Sequence, residues 1–404
     1  MKFYSPYQFS LFRIIFGIYL IIHFSFLFPY ASELWSNKGV LPDNSLNFTY
    51  GVFPSVLDVV DSPVFTSVFI SIMLLLSVMF TFGIQRRLIS ILIWYGWVCL
   101  FDRNNLISNP GIPFVGWILL CCAIVPKGEP FALFTAKNEN WEFPKIIFYG
   151  AWVIMALSYS ISGIDKLCSP SWTDGSVIIH LLNNPLARAL PTREYLLLLP
   201  ESILNFMTWL ILFLEIAFAP LVIWNRTRVW AWLSMIIMHL GILVMVDFAD
   251  LTFGMLMIHF FTFDARWIKP KVSKAEKPIV FFDGVCGLCN SSVDLLMKED
   301  RINVLLFAPL QGETAKNSLP PEIIKNLKSL VFYKNNCVYT QSDAVIEIGK
   351  AIGGFWGLSF LLKVIPKFAR NLFYNLIAKN RYKWFGMKET CRMPTKDERE
   401  RLLF

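Results

Sequence analysis

Residues 278–290 read Pro-Ile-Val-Phe-Phe-Asp-Gly-Val-Cys-Gly-Leu-Cys-Asn, and the fold is decided by how they are read. The apolar run Ile279–Phe282 reads as a buried strand, and Asp283-Gly284 breaks it. Cys286 and Cys289 follow at C-x-x-C spacing, and residues 291–298 read as a helix. Strand, tight loop, two thiols and helix start together make a reactive dithiol. Unpaired N–H groups and partial positive charge at the helix N-terminus favour thiolate over thiol at Cys286. Cys289 then lies close enough to resolve a mixed disulfide. The alternative is a zinc site, which needs a second ligand pair. After Cys289 only Cys337 and Cys391 remain, unpaired in sequence, and no His follows His259, so no metal is expected.

Outward from this stretch the composition changes. Of the 404 residues 55% are hydrophobic and 16% charged, with a mean hydropathy of +0.53, which is a membrane composition. Residues 1–274 carry 18 Lys+Arg and 16 Asp+Glu, whereas residues 275–404 carry 19 and 13 in less than half the length. The expected architecture is therefore an α-helical membrane bundle (1–268), a Lys-rich linker (269–277) and a small, basic α/β domain (278–404). The eight cysteines do not form the dense framework of a small secreted domain, and Cys99, Cys121 and Cys122 sit in apolar runs. Arg13 interrupts the first apolar run and no cleavage site follows, so it reads as a first spanning helix rather than a signal peptide.

Eight apolar segments stand out, at about 8–28, 63–83, 88–101, 111–125, 144–163, 202–224, 229–246 and 251–263. About eight spans are expected from them, although several fall short of the roughly 20 residues of a straight span. The loops at Arg86-Arg87, Arg226/Arg228 and 266–277 are basic, and they alternate with acidic or mixed ones. Eight spans with both ends inside put every purely basic loop in the cytoplasm. This makes the chain a multi-pass protein of the bacterial inner membrane with a cytoplasmic C-terminal domain, where thiols are kept reduced and a dithiol is catalytic or redox-sensing. The polar segment 164–198 falls outside and is expected to cap or line a cavity.

Ionisable groups inside the membrane region are functional candidates. They are Arg13, Glu215, Asp247, Asp250 and Lys166, with Arg13 the candidate partner of Glu215. A lysine in an apolar pocket acts as a base, whereas one at the membrane interface pairs with a neighbour such as Asp165, and Lys166 is open to both readings. His23, His239 and His259 have no metal spacing.

Tyr159-x-x-x-Gly163-x-x-Lys166-Leu167 with Trp172-x-x-Gly175, together with Phe12-Arg13 and Arg103-Asn104…Asn109-Pro110-Gly111, resembles the horizontally transferred transmembrane (HTTM) family. That family is related to the vitamin K-dependent gamma-carboxylases, and the likeness covers roughly residues 5–270. It implies that Lys166 is the base acting on a reduced quinone, and with it a quinone or other lipid-soluble substrate near Lys166; no cofactor is expected from the residues themselves. The carboxylases use a histidine where this chain reads Arg103–Gly111 without one, and their large lumenal region is missing. Protein glutamate carboxylation is not expected.

Beyond the dithiol the pattern stays α/β: strands at 304–307, 329–333 and 338–339, a turn at Asn335-Asn336, helices at 320–327 and 344–352, the last capped by Ser342-Asp343. Asp283-x-x-Cys286-x-x-Cys289, Ser342-Asp343-Ala344 and the tail Asn380-Arg381-Tyr382…Phe385-Gly386…Cys391 resemble the DCC family of thiol–disulfide oxidoreductases over about 277–395. The resemblance implies a thioredoxin-like fold, with Cys286 attacking, Cys289 resolving, and Asp283 either assisting proton transfer or capping the loop. Lys328-Ser329 stand where thioredoxins place a cis-proline, so substrate docking must differ. Residues 353–383 combine apolar residues at helical spacing with Lys and Arg, which suits anionic lipid or a core-facing helix with a basic side. No nucleic-acid motif is present.

The leading expectation is a membrane-anchored thiol–disulfide oxidoreductase with a protein thiol or disulfide partner, linked to a quinone-like molecule in the bilayer. The alternatives are a Lys166-centred lipid-modifying enzyme with a regulatory dithiol, and a non-enzymatic membrane scaffold.

Overall fold

The computed structural model describes residues 3–272, 276–300, 302–325, 330–387 and 396–403. Two compact units are present: Pro6–Phe263, and the first five residues together with Asp264–Phe404. The expected linker is partly built into the second unit, since Val272 is in its core and the Lys271 N–H donates to the Lys350 carbonyl at 3.0 Å.

In the first unit all eight apolar segments are helical. They form α1 (Pro6–Leu27), α2 (Pro63–Thr81), α3 (Arg86–Arg103), α4 (Gly111–Ile124), α5 (Lys145–Lys166), the pair α6 (Glu201–Ile216) and α7 (Phe218–Ile223), α8 (Asn225–Met245) and α9 (Ala249–Thr262). The helix starts follow local chemistry. The Ser62 hydroxyl accepts the Phe65 N–H at the start of α2, with Pro63 at the first helical position.

The expected eight spans reduce, among the described residues, to four that are long and apolar enough to cross a membrane: the run Pro6–Trp35, α2, α5 and α8. A fifth is reached if Pro191–Leu197 and α6, bent by 107°, count as one. α4 and α9 have 14 residues each; at 1.5 Å per residue that is about 21 Å, against a hydrocarbon core of about 30 Å. α3 is longer but carries Arg86, Arg87, Asp102 and Arg103. With the count changed, its parity no longer sets the side of the C-terminal unit.

Arg86, one of the charges that set the expected orientation, and other arginines of this unit are consumed in pairs. Arg86 is buried against Glu129 at 2.7 Å, and Arg103 reaches Asp61 at 3.1 Å. Arg13 is fully buried and donates to the carbonyls of Phe80, Thr81 and Phe131 at 2.8–3.1 Å, with Glu129 3.6 Å away. It is not the partner of Glu215.

The second unit has a four-stranded sheet in the order β2-β1-β3-β4. β1 (Ile279–Phe282) runs parallel to β2 (Leu306–Pro309), joined by α10 (Gly287–Glu299), and antiparallel to β3 (Val331–Lys334), which turns into β4 (Cys337–Thr340). This is the arrangement of a thioredoxin-like core. Alternation along β1 fills both faces: Val280 and Phe282 pack with Val293, Phe307 and Ile348, while Phe281 packs with Ala308, Ala315 and Leu319. Burying each large apolar side chain stabilises the fold by about 1.5–3 kcal/mol. Asn335 and Asn336 both adopt positive φ, as a two-residue hairpin turn requires.

Some boundaries move. β2 begins two residues later than expected, and the helix α11 (Glu313–Ser318) was not expected. α12 (Gln341–Ile352) starts behind Thr340 with no side-chain cap, so Ser342-Asp343 is not a cap. Those two residues turn instead to α13 (Lys367–Phe385), which follows the 3-10 segment Gly354–Val364. Lys328-Ser329 and Cys391 lie outside the described residues.

Candidate active site

The dithiol sits where β1 hands over to α10. Cys286 is the N-cap residue of α10, and its Sγ accepts the Cys289 N–H at 3.5 Å. One of the helix's unpaired donors thus points at the first sulfur, as the spacing implied. Burial, then the hydrogen bond and closeness to Cys286, push the Cys289 thiol up to about 12, so this group stays protonated near neutral pH.

Asp283 closes the loop from below. Its Oδ1 accepts the Val285 N–H at 3.2 Å and the Gln311 amide at 3.0 Å; its Oδ2 accepts Arg381 Nη2 at 2.9 Å and the Tyr382 hydroxyl. Burial raises this carboxyl, but the hydrogen bonds from Tyr382, Arg381, Gln311 and Val285 outweigh it and hold it below the usual carboxylate range. Gln311 also takes the Gly284 N–H through its oxygen at 3.3 Å. Asn290, fully buried, donates to the carbonyls of Gly284 and Cys286 at 2.8 and 2.9 Å. Sequence reasoning missed Asn290 and Gln311. Asn290 carried a signal, a polar residue one place after the dithiol, whereas Gln311 reaches the loop only through the sheet.

The end of α13 closes over the first thiol. The Gly287 N–H donates to the Gly386 carbonyl at 3.2 Å, and Met387 bridges to Cys286. A Cβ on Gly287 would lie 2.2 Å from the Phe385 carbonyl oxygen, so only glycine admits this approach. Cys286 is consequently 0% exposed, while Cys289 is partly accessible. Among the described residues no three His, Cys, Asp or Glu side chains come together as a metal site.

Lys166, in the other unit, ends α5 and forms an ion pair with Glu215 of α6, with its ammonium 4.6 Å from the Trp172 ring centroid. The sequence offers Arg13 as a candidate partner for Glu215, and Asp165 or an apolar pocket for Lys166; the helix crossing pairs Lys166 with Glu215. Gly163 makes that crossing close, since a Cβ there would lie 2.7 Å from the Ile216 nitrogen. One turn back, the Tyr159 hydroxyl meets His239 Nε2 at 2.7 Å. The motif Tyr159…Gly163…Lys166 is thus one helix face that makes a hydrogen bond, a close approach and an ion pair in turn.

A cavity of about 390 Å³ opens elsewhere in the first unit, lined by Tyr19, Trp35, Trp97, Phe253 and other apolar residues around His23 and Asp250. His23 Nδ1 is 2.6 Å from Asp250 Oδ1, and Asn109 donates to Oδ2 at 2.9 Å. No residue of the segment 164–198 lines it.

Comparison with known proteins matches residues 280–387 to the model of the DCC1-like thiol-disulfide oxidoreductase family. The uncharacterized protein YuxK of Bacillus subtilis is 39% identical over 130 residues, 31% of this chain and 93% of that protein. A chloroplastic DCC family protein of Arabidopsis thaliana is 36% identical over 133 residues, 31% of this chain and 77% of that protein. No solved structure matches the chain.

Proposed function

The C-terminal third of this chain belongs to the DCC1-like thiol-disulfide oxidoreductase family, and from that premise we propose a membrane-anchored thiol–disulfide oxidoreductase working through Cys286 and Cys289. The observation that carries the proposal is the position of Cys286 at the N-cap of α10, its sulfur facing the Cys289 N–H. In this reading the Cys286 thiolate attacks one sulfur of a substrate disulfide. A mixed disulfide forms, and one substrate thiolate leaves and takes a proton. Cys289 then gives up its proton and attacks Cys286 Sγ; the Cys286–Cys289 disulfide forms and the second substrate thiol leaves. Two electrons and two protons have passed to the substrate. Asp283, with both oxygens occupied by donors, is a positioning residue rather than a proton carrier. Because Cys286 is covered, the segment Phe385–Met387 must move aside before substrate reaches it.

The test is mixed-disulfide trapping with purified full-length protein. Cys289→Ser is expected to accumulate a covalent complex with a disulfide substrate, and Cys286→Ser to form none and lose turnover. Full turnover in both variants would sink the proposal.

The four apolar helices support membrane anchoring, with the C-terminal unit proposed on the cytoplasmic side. A quinone-like molecule is the proposed second redox partner, since quinone to quinol also moves two electrons and two protons. The aromatic cavity around His23 and Asp250 has the size and polarity for such a ligand. The Lys166–Glu215 pair favours a second reading, an HTTM-like lipid-modifying enzyme with the dithiol as regulator.

A further inference from the structure

α13 is built inside out. The side chains that face its own unit are polar. Arg370 pairs with Asp343 at 2.9 Å, Asn375 accepts from Gln341 at 3.0 Å, and Asn371 accepts from Ser342 at 2.5 Å. The Tyr374 hydroxyl accepts the Leu330 N–H at 2.9 Å, and Arg381 and Tyr382 hold Asp283. The outward side chains are apolar: Phe368, Leu372 and Phe373 are 78, 69 and 67% exposed, with Leu376, Ile377 and Trp384 beside them. Val364 and Leu361 of the preceding segment extend the patch. A helix in water turns these faces the other way round.

The charge on this patch has one sign. Residues 353–387 contain six Lys and Arg and no Asp or Glu. Lys363, Lys367, Arg370 and Arg381 are held by carboxylates of the unit. Lys379 and Lys383 have no ion-pair partner among the described residues, and at helical spacing they continue the stripe of Phe368, Leu372 and Leu376. Exposed apolar surface beside uncompensated lysines is complementary to anionic headgroups over acyl chains. A second copy would set the same lysines against each other.

We propose that α13 and the segment before it are a docking face for anionic lipid, so that the helix whose end covers Cys286 lies on the bilayer. The proposal rests on the membrane reading above and not on the redox chemistry.

Full-length protein reconstituted in nanodiscs of phosphatidylcholine alone, or with phosphatidylglycerol, tests it by hydrogen–deuterium exchange of the peptide 367–385. Anionic lipid is expected to slow exchange in that peptide while leaving the β1–β2 amides unchanged. Lys379→Gln with Lys383→Gln is expected to weaken docking about thirtyfold, at about 1 kcal/mol per basic residue near an anionic surface. Lys379→Arg with Lys383→Arg is expected to keep it. Equal exchange in both lipids, whether from no contact or from a second copy, would overturn the proposal, as would indifference to the glutamine pair. Disulfide reduction measured on the same samples reports separately on the redox reading, and resistance of the chain to alkaline extraction from the nanodisc lipid reports on the membrane reading.

Discussion

Asp283 is held from several directions at once. Four donors from three separate segments meet on its carboxylate, and one of them is the nearly buried guanidinium of Arg381. Removing one partner of a buried pair leaves the other uncompensated, which typically costs about 3–5 kcal/mol. Asp283→Asn is therefore expected to destabilise the C-terminal unit by about 3 kcal/mol in denaturant unfolding and to speed alkylation of Cys286. The pH dependence has a definite sign. The folded carboxyl titrates below its unfolded value, so its contribution is present above the ordinary range near about 4 and is lost as pH falls through the lowered value. The gap between wild type and Asp283→Asn should close in acid and stay constant from pH 6 to 8. A gap unchanged in strong acid would mean that the carboxylate charge is not what stabilises the loop.

At the scale of elements, the cover over Cys286 depends on one backbone approach, between the start of α10 and the end of α13. Gly287 permits it, and the carbonyl of Gly386, a residue at positive φ, completes it by accepting the Gly287 N–H. Gly287→Ala is expected to push the end of α13 away, cost about 1–3 kcal/mol as an overpacked contact, and raise the alkylation rate of Cys286 several-fold. Peptide mapping of iodoacetamide adducts reads it directly; an unchanged rate at Cys286 would show that α13 does not limit access. The same elements mark the limits of sequence reading. The strand, the dithiol and the Asn335-Asn336 hairpin were legible because each is fixed by local periodicity or turn chemistry. The role of Ser342-Asp343 was not, because two polar residues before an apolar helix look like a cap whether or not another helix claims their side chains.

For the whole molecule, the Lys166–Glu215 pair separates the two proposed readings. Lys166→Ala leaves Glu215, 4% exposed, without its cation and is expected to destabilise the helical unit. Lys166→Met with Glu215→Gln removes both charges and is expected to recover most of that loss in thermal unfolding. If the thiol–disulfide reading holds, this double variant keeps the turnover that Cys286→Ser abolishes. If the double variant is inactive in a cell-based assay while Cys286→Ser retains activity, the Lys166-centred reading takes its place.

By itself the sequence determined the helical character of all eight apolar segments, the strand before the dithiol, the C-x-x-C spacing and the helix behind it. These follow from hydropathy, periodicity and spacing, which are properties of neighbours along the chain. Only the tertiary structure decided that Lys166 and not Arg13 neutralises Glu215, that Asp283 is gripped by Arg381 and Tyr382 from about a hundred residues away, and that α13 turns its polar face inward and closes over Cys286. Such pairings depend on which helix crosses which and at what depth, and a buried charge takes whatever partner the crossing brings within reach. No local pattern encodes that choice.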